Sequence, residues 1–328
     1  MNLLITGGAG FIGSNFVRHI LNTYPDYKVI NLDLLTYAGN IHNLDDVMGN
    51  TNHVFLQGNI TDRELVRKLI KEHGINAIVN FAAESHVDRS IVNPSVFIET
   101  NIQGTLALLD AAREVTIAKF LQVSTDEVYG SLEETGYFSE ESPLAPNSPY
   151  SASKASADLL VRAYHETYGI NMNITRCSNN YGPYHFPEKL IPLMITNAVD
   201  REDLPIYGDG KNIRDWLHVM DHCTALDLVL HNGVSGEVYN VGGHNERTNN
   251  EIVELIVDRL NVSHDRIKYI KDRLGHDRRY AIDSTKIESQ LGWKPKYTFD
   301  KGIDETIDWY LKNEAWWRPL KALARIEE

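Results

Sequence analysis

The sequence predicts an α/β protein, in which a doubly wound parallel sheet is followed by a smaller, mixed α/β C-terminal substrate domain. Short apolar runs alternate with amphipathic helical stretches through the first half of the 328-residue chain, which is typical of a sheet covered by helices on both faces. A glycine-rich turn at residues 7–13 directly follows the first apolar run. After Arg176, prolines and aromatic residues break the alternation, so a region of different construction is expected there.

The alternation predicts the elements in chain order. Strands are predicted at the short apolar runs, at residues 3–6, 29–32, 54–56, 77–81, 120–124, 172–175 and 238–241. Helices are predicted where apolar residues recur at helical spacing, at residues 13–22, 62–72, 101–114, 151–168 and 249–260. The segment after Arg176 is predicted to be a substrate-facing region built on loops, because it contains Pro183, Pro187, Pro192 and Pro205.

The composition argues against several classes of function. Asp and Glu number 45 against 32 Lys and Arg, a net charge of −13, so most of the surface would repel a nucleic-acid backbone. Cys177 and Cys223 are far apart and in no metal-ligand spacing, which predicts reduced thiols and neither a disulfide framework nor a metal site. Without a leader or an apolar run of roughly 20 residues, a cytoplasmic protein with no membrane partner is expected.

The turn at residues 7–13 lies between a predicted strand and a predicted helix. Glycines permit a tight turn, let backbone N–H groups approach a pyrophosphate and leave the anion at the positive end of the helix. This context favours a Rossmann-type dinucleotide site over a plain glycine-rich turn. The predicted contacts are Gly7, Gly10, Phe11, Ile12 and Gly13.

Asp33 follows the second predicted strand, 20 positions beyond Gly13. A carboxylate at this position accepts hydrogen bonds from the ribose hydroxyls of adenosine and repels a 2′-phosphate, so NAD is predicted rather than NADP. An aspartate that only caps a turn is the simpler alternative.

A phenol and an ammonium group are four residues apart at Tyr150 and Lys154, on one face of a predicted helix. A nearby cation stabilises a phenolate and lowers the pKa of the tyrosine, which predicts Tyr150 as a base towards a sugar hydroxyl. The same spacing is common on helix surfaces, so its weight comes from the glycine turn and the acidic residues on the same chain.

Thr125, Asp126 and Glu127 follow the strand predicted at residues 120–124. They should therefore lie at the carboxyl edge of the sheet, where open α/β folds bind ligands. Crowding disfavours the ionisation of both carboxyls, so one can serve as an acid while the other serves as a base. A solvated acidic turn or a helix N-cap is the alternative.

These segments resemble the extended short-chain dehydrogenase/reductase family, and within it the sugar-nucleotide dehydratases, over nearly the whole chain. The resemblance is carried by residues 6–13, 82–90, 124–130, 150–154, 176–183, 207–210, 214–216 and 272–277. The Thr-Asp-Glu triplet is the specific part, because the related 4-epimerases share the glycine turn and the Tyr/Lys pair but lack this acid pair. The resemblance implies loss of water from dTDP-glucose to give dTDP-4-keto-6-deoxyglucose, with NAD as the cofactor.

The resemblance also implies a role for each candidate catalytic residue. Tyr150, assisted by Lys154 and the hydroxyl of Thr125, would take the C4 hydroxyl proton while hydride passes from C4 to NAD. Glu127 would remove the C5 proton, which the new ketone acidifies, as Asp126 protonates the departing C6 hydroxyl. Hydride then returns to C6 and a proton returns to C5, so there is no net oxidation.

Two sets of contact residues are implied by the resemblance. Further NAD contacts are implied at Leu34, Leu35, Thr36, Asn59, Ile60, Ala82, Ala83, Ser85, Thr100, Tyr150, Lys154 and Asn180. Sugar-nucleotide contacts are implied at Ser85, Thr125, Asn179, Lys189, Leu190, Pro205, Tyr207, Arg214, Asn249, Arg273 and His276. Arg214 and Arg273 suit the diphosphate, since a guanidinium offers paired donors to phosphate oxygens. Asn59 and Leu274 depart from the aspartate and proline that are usual in the family.

The chain is predicted to form two domains. Residues 1–176 plus about 214–244 would bind NAD, and residues 177–213 plus about 245–328 would bind the sugar nucleotide. The resemblance implies a homodimer that pairs through the helices predicted at 101–114 and 151–168. Packing of the same apolar faces inside one subunit is the alternative.

Two other functions stay open at this point. A nucleotide-sugar 4-epimerase would need Tyr150, Lys154 and NAD, but would leave no use for a C5 base and a C6 acid. A non-catalytic dinucleotide-binding regulator would keep the fold without needing the Tyr/Lys pair. Thymine and uracil nucleotides also stay alternatives, because a pocket discriminates one methyl group by only ~1–3 kcal/mol.

Overall fold

The first lobe of this computed structural model, which describes residues 1–326 and their side chains through residue 324, is built on a parallel sheet. The strands are β1 (Asn2–Thr6), β2 (Lys28–Asp33), β3 (His53–Gln57), β4 (Ala77–Asn80), β5 (Lys119–Thr125), β6 (Met172–Cys177), β7 (Asn179–Tyr181), β8 (Leu204–Tyr207), β9 (Ile213–His218), β10 (Val238–Val241), β11 (Glu246–Thr248) and β12 (Ile267–Ile270). The large sheet has the order β10-β6-β5-β4-β1-β2-β3, and its pairs are parallel. The predicted fold class is confirmed.

Helices cover both faces of this sheet. The α-helices are α1 (Phe11–Thr23), α2 (Arg63–His73), α3 (Val87–Val92), α4 (Ser95–Phe97), α5 (Thr105–Val115), α6 (Pro149–Tyr168), α7 (Leu190–Val199), α8 (Val219–Asn232), α9 (Asn249–Arg259), α10 (Thr285–Leu291), α11 (Phe299–Lys312) and α12 (Glu314–Ile326). Short 3₁₀ helices occur at Ile41–Leu44, Asp126–Tyr129 and His264–Arg266, and a π-helix at Ile98–Gly104. Within residues 1–326, every helix is too short or too polar to cross a bilayer.

The order of the strands determines where a ligand can bind. The chain runs outward from β1 to β2 and β3 on one side, and from β4 to β5 and β6 on the other, so the crevice opens between β1 and β4. The carboxyl ends of these parallel strands share one edge, which brings together Gly7, Asp33, Ala82 and Thr125.

The second lobe contains a three-stranded sheet of β11, β9 and β7 and the parallel pair β12–β8, packed with α7, α9, α11 and α12. The expectation of a region built on loops after Arg176 is therefore wrong, because this region forms α7 and several strands. Pro192 lies in the first turn of α7, where backbone N–H groups have no intrahelical partner. Pro205 lies on β8, an edge strand, where a missing N–H is tolerated.

The division of the chain into two domains stays a prediction. α8 packs against α1, and β10 lies in the large sheet, whereas β9 lies in the small sheet. α10 packs against β10, and its Ile287 belongs to the core of the first lobe although the range 245–328 was assigned to the second. Residues 327–328 of that range lie outside the described residues.

Candidate active site

A cavity of about 1230 Å³ lies at the carboxyl edge of the large sheet and reaches into the second lobe. Pockets for one small ligand measure ~300–1,000 Å³, so this volume has room for a dinucleotide and a second ligand side by side. Within the described part of the chain, every residue predicted for the site lines this cavity except Leu35 and Asp126. The tertiary structure thus brings together residues from 7 to 276 of the sequence.

The glycine turn has the geometry of an anion site. Gly7 has a φ of +70°, and a Cβ atom on Gly13 would lie 2.2 Å from the carbonyl oxygen of Gly7. α1 begins directly after Gly10 without a side-chain cap, so its first N–H groups are directed at the cavity that Gly10 and Phe11 line. The residues present therefore fit a dinucleotide pyrophosphate.

Asp33 is fixed by backbone donors at the end of β2. Its carboxylate oxygens accept hydrogen bonds from the N–H groups of Ala9 at 2.9 Å and Leu35 at 2.8 Å. Burial raises the pKa of Asp33, and these two backbone bonds act in the opposite direction. Each oxygen keeps acceptor capacity for a ribose hydroxyl. Leu35, also predicted to contact the cofactor, packs against the core of the first lobe.

α6 presents Tyr150 and Lys154 to the cavity. Pro149 occupies the first position of the helix, and Ser148 and Ser151 form a capping box, so the helix begins immediately before Tyr150. Tyr150 therefore lies in the first turn, one turn before Lys154. The Lys154 ammonium donates to the carbonyl oxygen of Val123 on β5 at 2.8 Å, which joins the helix to the sheet.

Sequence reasoning missed the side chain that holds this helix turn. Asn101 donates to the carbonyl oxygen of Glu84 at 3.0 Å and to Oγ of Ser153 at 2.8 Å, and Ser153 donates to the carbonyl oxygen of Tyr150 at 2.7 Å. Asn101 lies in the π-helix Ile98–Gly104, inside a segment predicted as regular α-helix. The helical spacing of apolar residues did not distinguish the two helix types.

The electrostatics of Tyr150 differ from the sequence-based expectation. Burial and the nearby carboxylate of Glu127 raise the pKa of Tyr150 well above its usual value, while a hydrogen bond with Thr125 lowers it. Lys154 was expected to lower the pKa of Tyr150, but the pKa of Tyr150 is raised. Lys154 is itself buried, which lowers its own pKa, and its ammonium is directed at the Val123 carbonyl.

The surroundings of Asp126 favour its protonated form. It is 1% exposed, and burial, followed by the charges of Glu127 and Asp215, raises its pKa well above the usual value. Its Oδ1 accepts from the Thr125 hydroxyl at 3.4 Å, whereas Oδ2 has no hydrogen-bond partner among the described residues. Desolvation and neighbouring negative charge both disfavour the carboxylate form of this side chain.

Glu127 has different surroundings although it is the next residue. Burial raises its pKa, but Arg214, Lys189 and Arg273 act in the opposite direction. Its backbone N–H donates to Oγ1 of Thr125 at 3.2 Å, which directs the start of the 3₁₀ turn. Burial thus raises the pKa of both adjacent carboxyls, but neighbouring negative charge raises that of Asp126 further, whereas nearby cations oppose the shift at Glu127.

Both predicted phosphate arginines are held in place rather than solvated. Arg214 is 8% exposed and donates to the carbonyl oxygens of Ile213 at 2.8 Å and Asp277 at 2.9 Å. Its guanidinium also lies 4.4 Å from the ring centroid of Tyr280. Arg273 forms a two-bond ion pair with Asp88 of α3. Each guanidinium therefore has a fixed orientation at the cavity wall.

A cluster around Glu188 was also missed by sequence reasoning. Glu188 lies 3.4 Å from the guanidinium of Arg89, 3.8 Å from the imidazole of His86 and 3.9 Å from the ammonium of Lys189. Lys189 also donates to the carbonyl oxygen of Ser85 at 3.1 Å. These side chains line the same cavity, and they come from segments about 100 residues apart, so no local pattern could show them as a group.

Comparisons with known proteins agree with this geometry. The sequence model of the GDP-mannose 4,6 dehydratase family matches residues 4–306. A dTDP-glucose 4,6-dehydratase from Xanthomonas campestris pv. campestris is 56% identical over 331 residues, covering 95% of this chain and 94% of that protein.

Two solved structures are similar over nearly the whole chain. A crystal structure of a dTDP-glucose 4,6-dehydratase from Bacillus anthracis, in complex with NAD, has a TM-score of 0.92 and 55% identity, covering 98% of this chain and 99% of that one. A dTDP-glucose 4,6-dehydratase from Streptomyces venezuelae, also with NAD bound, has a TM-score of 0.95 and 52% identity, covering 98% and 100%.

Proposed function

The chain belongs to the dTDP-glucose 4,6-dehydratases of the extended short-chain dehydrogenase/reductase family, and we propose that its cavity converts dTDP-glucose to dTDP-4-keto-6-deoxyglucose through the residues named below. The reaction is an NAD-dependent dehydration. The observation that carries the proposed roles is the pair of unlike acids, Asp126 and Glu127, at the end of the strand that lies beside Tyr150.

The first lobe supplies the residues that hold NAD. The N–H groups at the start of α1 would bind the pyrophosphate, and the carboxylate of Asp33 would accept from the adenosine ribose. Bound NAD would supply the hydride acceptor for C4 and the hydride donor for C6, and the positive charge of its oxidised ring would favour the phenolate of Tyr150.

Tyr150 takes the proton of the C4 hydroxyl at its phenolic oxygen. The hydroxyl of Thr125 assists by a hydrogen bond that lowers the pKa of the phenol. Lys154 fixes α6 against β5 through the Val123 carbonyl, so the phenol keeps its position over the sugar. The buried surroundings exclude water from this proton transfer.

The two acids act on neighbouring carbons of the hexose. The Glu127 carboxylate, beside Arg214 and Lys189, removes the proton at C5. Asp126 gives its proton to the C6 hydroxyl as that group departs as water. Asp126 itself is buried, and its neighbours Thr125 and Glu127 line the cavity.

This acid pair favours dehydration over 4-epimerisation, because inversion at C4 contains no step for a C5 base or a C6 acid. A non-catalytic regulator has no need of the buried Lys154, the Tyr150 turn or the Asn101 hydrogen bonds that hold them. The epimerase therefore does not account for the acid pair, and the regulator does not account for the contacts of Lys154, Tyr150 and Asn101.

The experiment is a comparison of dTDP-glucose, UDP-glucose and UDP-N-acetylglucosamine on one preparation. The expected product is dTDP-4-keto-6-deoxyglucose, followed by its carbonyl absorbance in alkali and by mass, which falls by one water. The thymine nucleotide should have the highest kcat/KM. Formation of dTDP-galactose, or turnover of none of the three sugars, would contradict the proposal.

The proposal includes a homodimer and a cytoplasmic location. Leu159 and Tyr168 lie on α6, one of the helices expected to pair, and are about half exposed, at 56% and 50%. The two cysteines, both buried and free, suit a reducing compartment. Light scattering after size-exclusion chromatography should give twice the mass of 37.2 kDa, and a monomeric mass would contradict the dimer.

A further inference from the structure

The C-terminal helix of the second lobe reaches the NAD side of the first lobe. The indole N–H of Trp316, on α12, donates to Oδ1 of Asn43 at 2.9 Å, although the two residues are 273 positions apart. Asn43 lies in the 3₁₀ helix Ile41–Leu44, between β2 and β3. The proposed reaction assigns no task to either residue.

The other end of the same amide holds the glycine turn. The Nδ2 group of Asn43 donates to the carbonyl oxygen of Ala9 at 2.8 Å, and Asn43 is 1% exposed. The N–H of Ala9 in turn donates to the carboxylate of Asp33 at 2.9 Å. One side-chain amide therefore links Trp316 to the peptide units that position both the pyrophosphate site and the ribose acceptor.

The indole determines which way round this amide is held. An asparagine amide has an acceptor at one end and donors at the other, so it can bind the Ala9 carbonyl, which also accepts from the backbone N–H of Asn40 at 3.0 Å, only through its donor end. The Trp316 N–H requires the acceptor end on its own side. Removing that N–H leaves the amide oxygen without its donor in a largely buried site, so the amide can turn away from Ala9.

Trp316 is itself placed by an aromatic cluster. Its ring contacts those of Tyr184 at 5.7 Å and Trp309 at 5.0 Å between centroids. Arg18 of α1 lies 4.1 Å from the Tyr184 ring centroid and donates to the carbonyl oxygen of Asn43. Indole, amide and α1 thus form one contiguous contact between the lobes.

We propose that Trp316 and Asn43 are positioning residues for NAD, through which α12 of the second lobe holds the glycine turn in its binding geometry. This inference rests on the proposed NAD site but concerns residues outside it. The Trp316–Asn43 contact affects the affinity for the dinucleotide and not the chemistry at the hexose. The reason is that Asn43 contacts the Ala9 peptide and none of the catalytic side chains named above.

The test is Trp316→Phe, which keeps an aromatic ring in the cluster and removes the N–H. NAD-stripped protein is titrated with NAD, and the Kd should rise about 3–10-fold, the effect of one hydrogen bond to a buried amide. At saturating NAD, kcat and the KM for dTDP-glucose should stay within about twofold of the wild type, a split that general destabilisation would not produce.

Trp309→Phe is the matched control. Trp309 belongs to the same aromatic cluster, and its indole N–H makes no hydrogen bond within the described residues, so its Kd for NAD should stay near the wild-type value. Asn43→Ala provides the second test: its Kd should rise, and adding Trp316→Phe should weaken binding no further.

Wild-type affinity for NAD in Trp316→Phe, or equal weakening in Trp309→Phe, would overturn the inference. The inference would also be overturned if the losses of NAD affinity from Asn43→Ala and Trp316→Phe were additive in the double variant. Wild-type protein that binds no NAD would instead overturn the NAD site itself, so the two failures are distinguishable.

Discussion

Arg273 donates from Nε and Nη2 to the two carboxylate oxygens of Asp88, at 2.6 and 2.7 Å. Arg273 belongs to the loop after β12, and Asp88 to α3, so this pair joins the two lobes across the cavity that both residues line. The carboxylate occupies one edge of the guanidinium and leaves the other N–H groups for a phosphate. The pair therefore orients a residue that the family resemblance assigns to the substrate.

Asp88→Asn should weaken substrate binding. The amide cannot accept both guanidinium bonds, so Arg273 loses its fixed orientation, and the KM for dTDP-glucose should rise about 3–10-fold with kcat within about twofold. Asp209→Asn, which breaks the exposed Arg278–Asp209 pair, is the control and should change neither constant. An unchanged KM in Asp88→Asn would show that Arg273 needs no such partner.

Glu127→Gln should separate the two halves of the reaction. The amide cannot remove the C5 proton, so exchange of that proton with solvent deuterium should stop and dehydration should fall by at least about 10²-fold. Hydride transfer from C4 should survive and be seen as NADH absorbance at 340 nm. Full dehydration by this variant would remove Glu127 from its assigned role.

The same substitution should shift the pH dependence of the first step. The phenolate form of Tyr150 is the base, so the rate of NADH formation rises with pH up to the pKa of Tyr150. Burial and then the charge of Glu127 raise that pKa, so removing the charge in Glu127→Gln lowers it. The rising limb of the pH–rate profile should therefore move to lower pH, and a limb that stays or moves upward would exclude this coupling.

Gly10→Ala and Gly13→Ala should separate binding from folding. A Cβ on Gly13 would lie 2.2 Å from the Gly7 carbonyl oxygen, so this variant should lose stability, by about 2 kcal/mol or more in urea unfolding. A Cβ on Gly10 meets that oxygen only at 3.3 Å, and Gly10 lines the cavity, so this variant should fold but bind NAD at least about tenfold more weakly. Equal stability of the two variants would argue against this packing.

A cluster between α1 and α8 should make stability depend on pH. Burial acts to raise the pKa of Asp227, but hydrogen bonds from His19, His231 and Tyr24 outweigh it and lower this pKa. This stabilisation is present above the unfolded pKa of about 3.9 and is lost as pH falls through the lower folded value. The hydrogen bond to Asp227 raises the pKa of His231. Its contribution is complete below the unfolded value of about 6.5 and is lost as pH rises through the folded one.

His231→Gln should consequently lower the melting temperature most between about pH 4 and 6.5, and by less at higher pH. The measurement is a melting curve at each pH for the wild type and the variant. His42→Gln, which removes the exposed contact with Asp45, is the control and should show no such window. A constant difference across the pH range would contradict the assignment to His231.

Local patterns were sufficient for the large sheet and for much of the site. The predicted strands match β1 to β6 and β10, and the helices predicted in the first lobe match α1, α2, α5 and α6 with shifts at their ends, whereas α3, α4 and α8 were not predicted. The glycine turn, Asp33 and the Thr125–Glu127 triplet each follow a strand, and parallel strands carry their carboxyl ends to one edge. It was therefore predictable from the positions of these residues after successive strands that they would lie close together at one edge of the sheet.

The second lobe was less predictable, because its helices and strands contain prolines at positions that tolerate them. Pro192 and Pro205 interrupt a periodic pattern in the sequence but cost nothing in the first turn of α7 or on the edge strand β8. A pattern read along the chain does not distinguish these positions from loop positions.

The sequence by itself determined the fold class, the dinucleotide turn and the residue types available for acid-base chemistry, since all of these depend on neighbours within a few residues. Only the tertiary structure decided the direction of the pKa of Tyr150, the unlike surroundings of Asp126 and Glu127, and the Arg273–Asp88 and Trp316–Asn43 contacts. The physical reason is that desolvation and charge interactions depend on what surrounds a group in space, and these surroundings come from segments up to 273 residues apart.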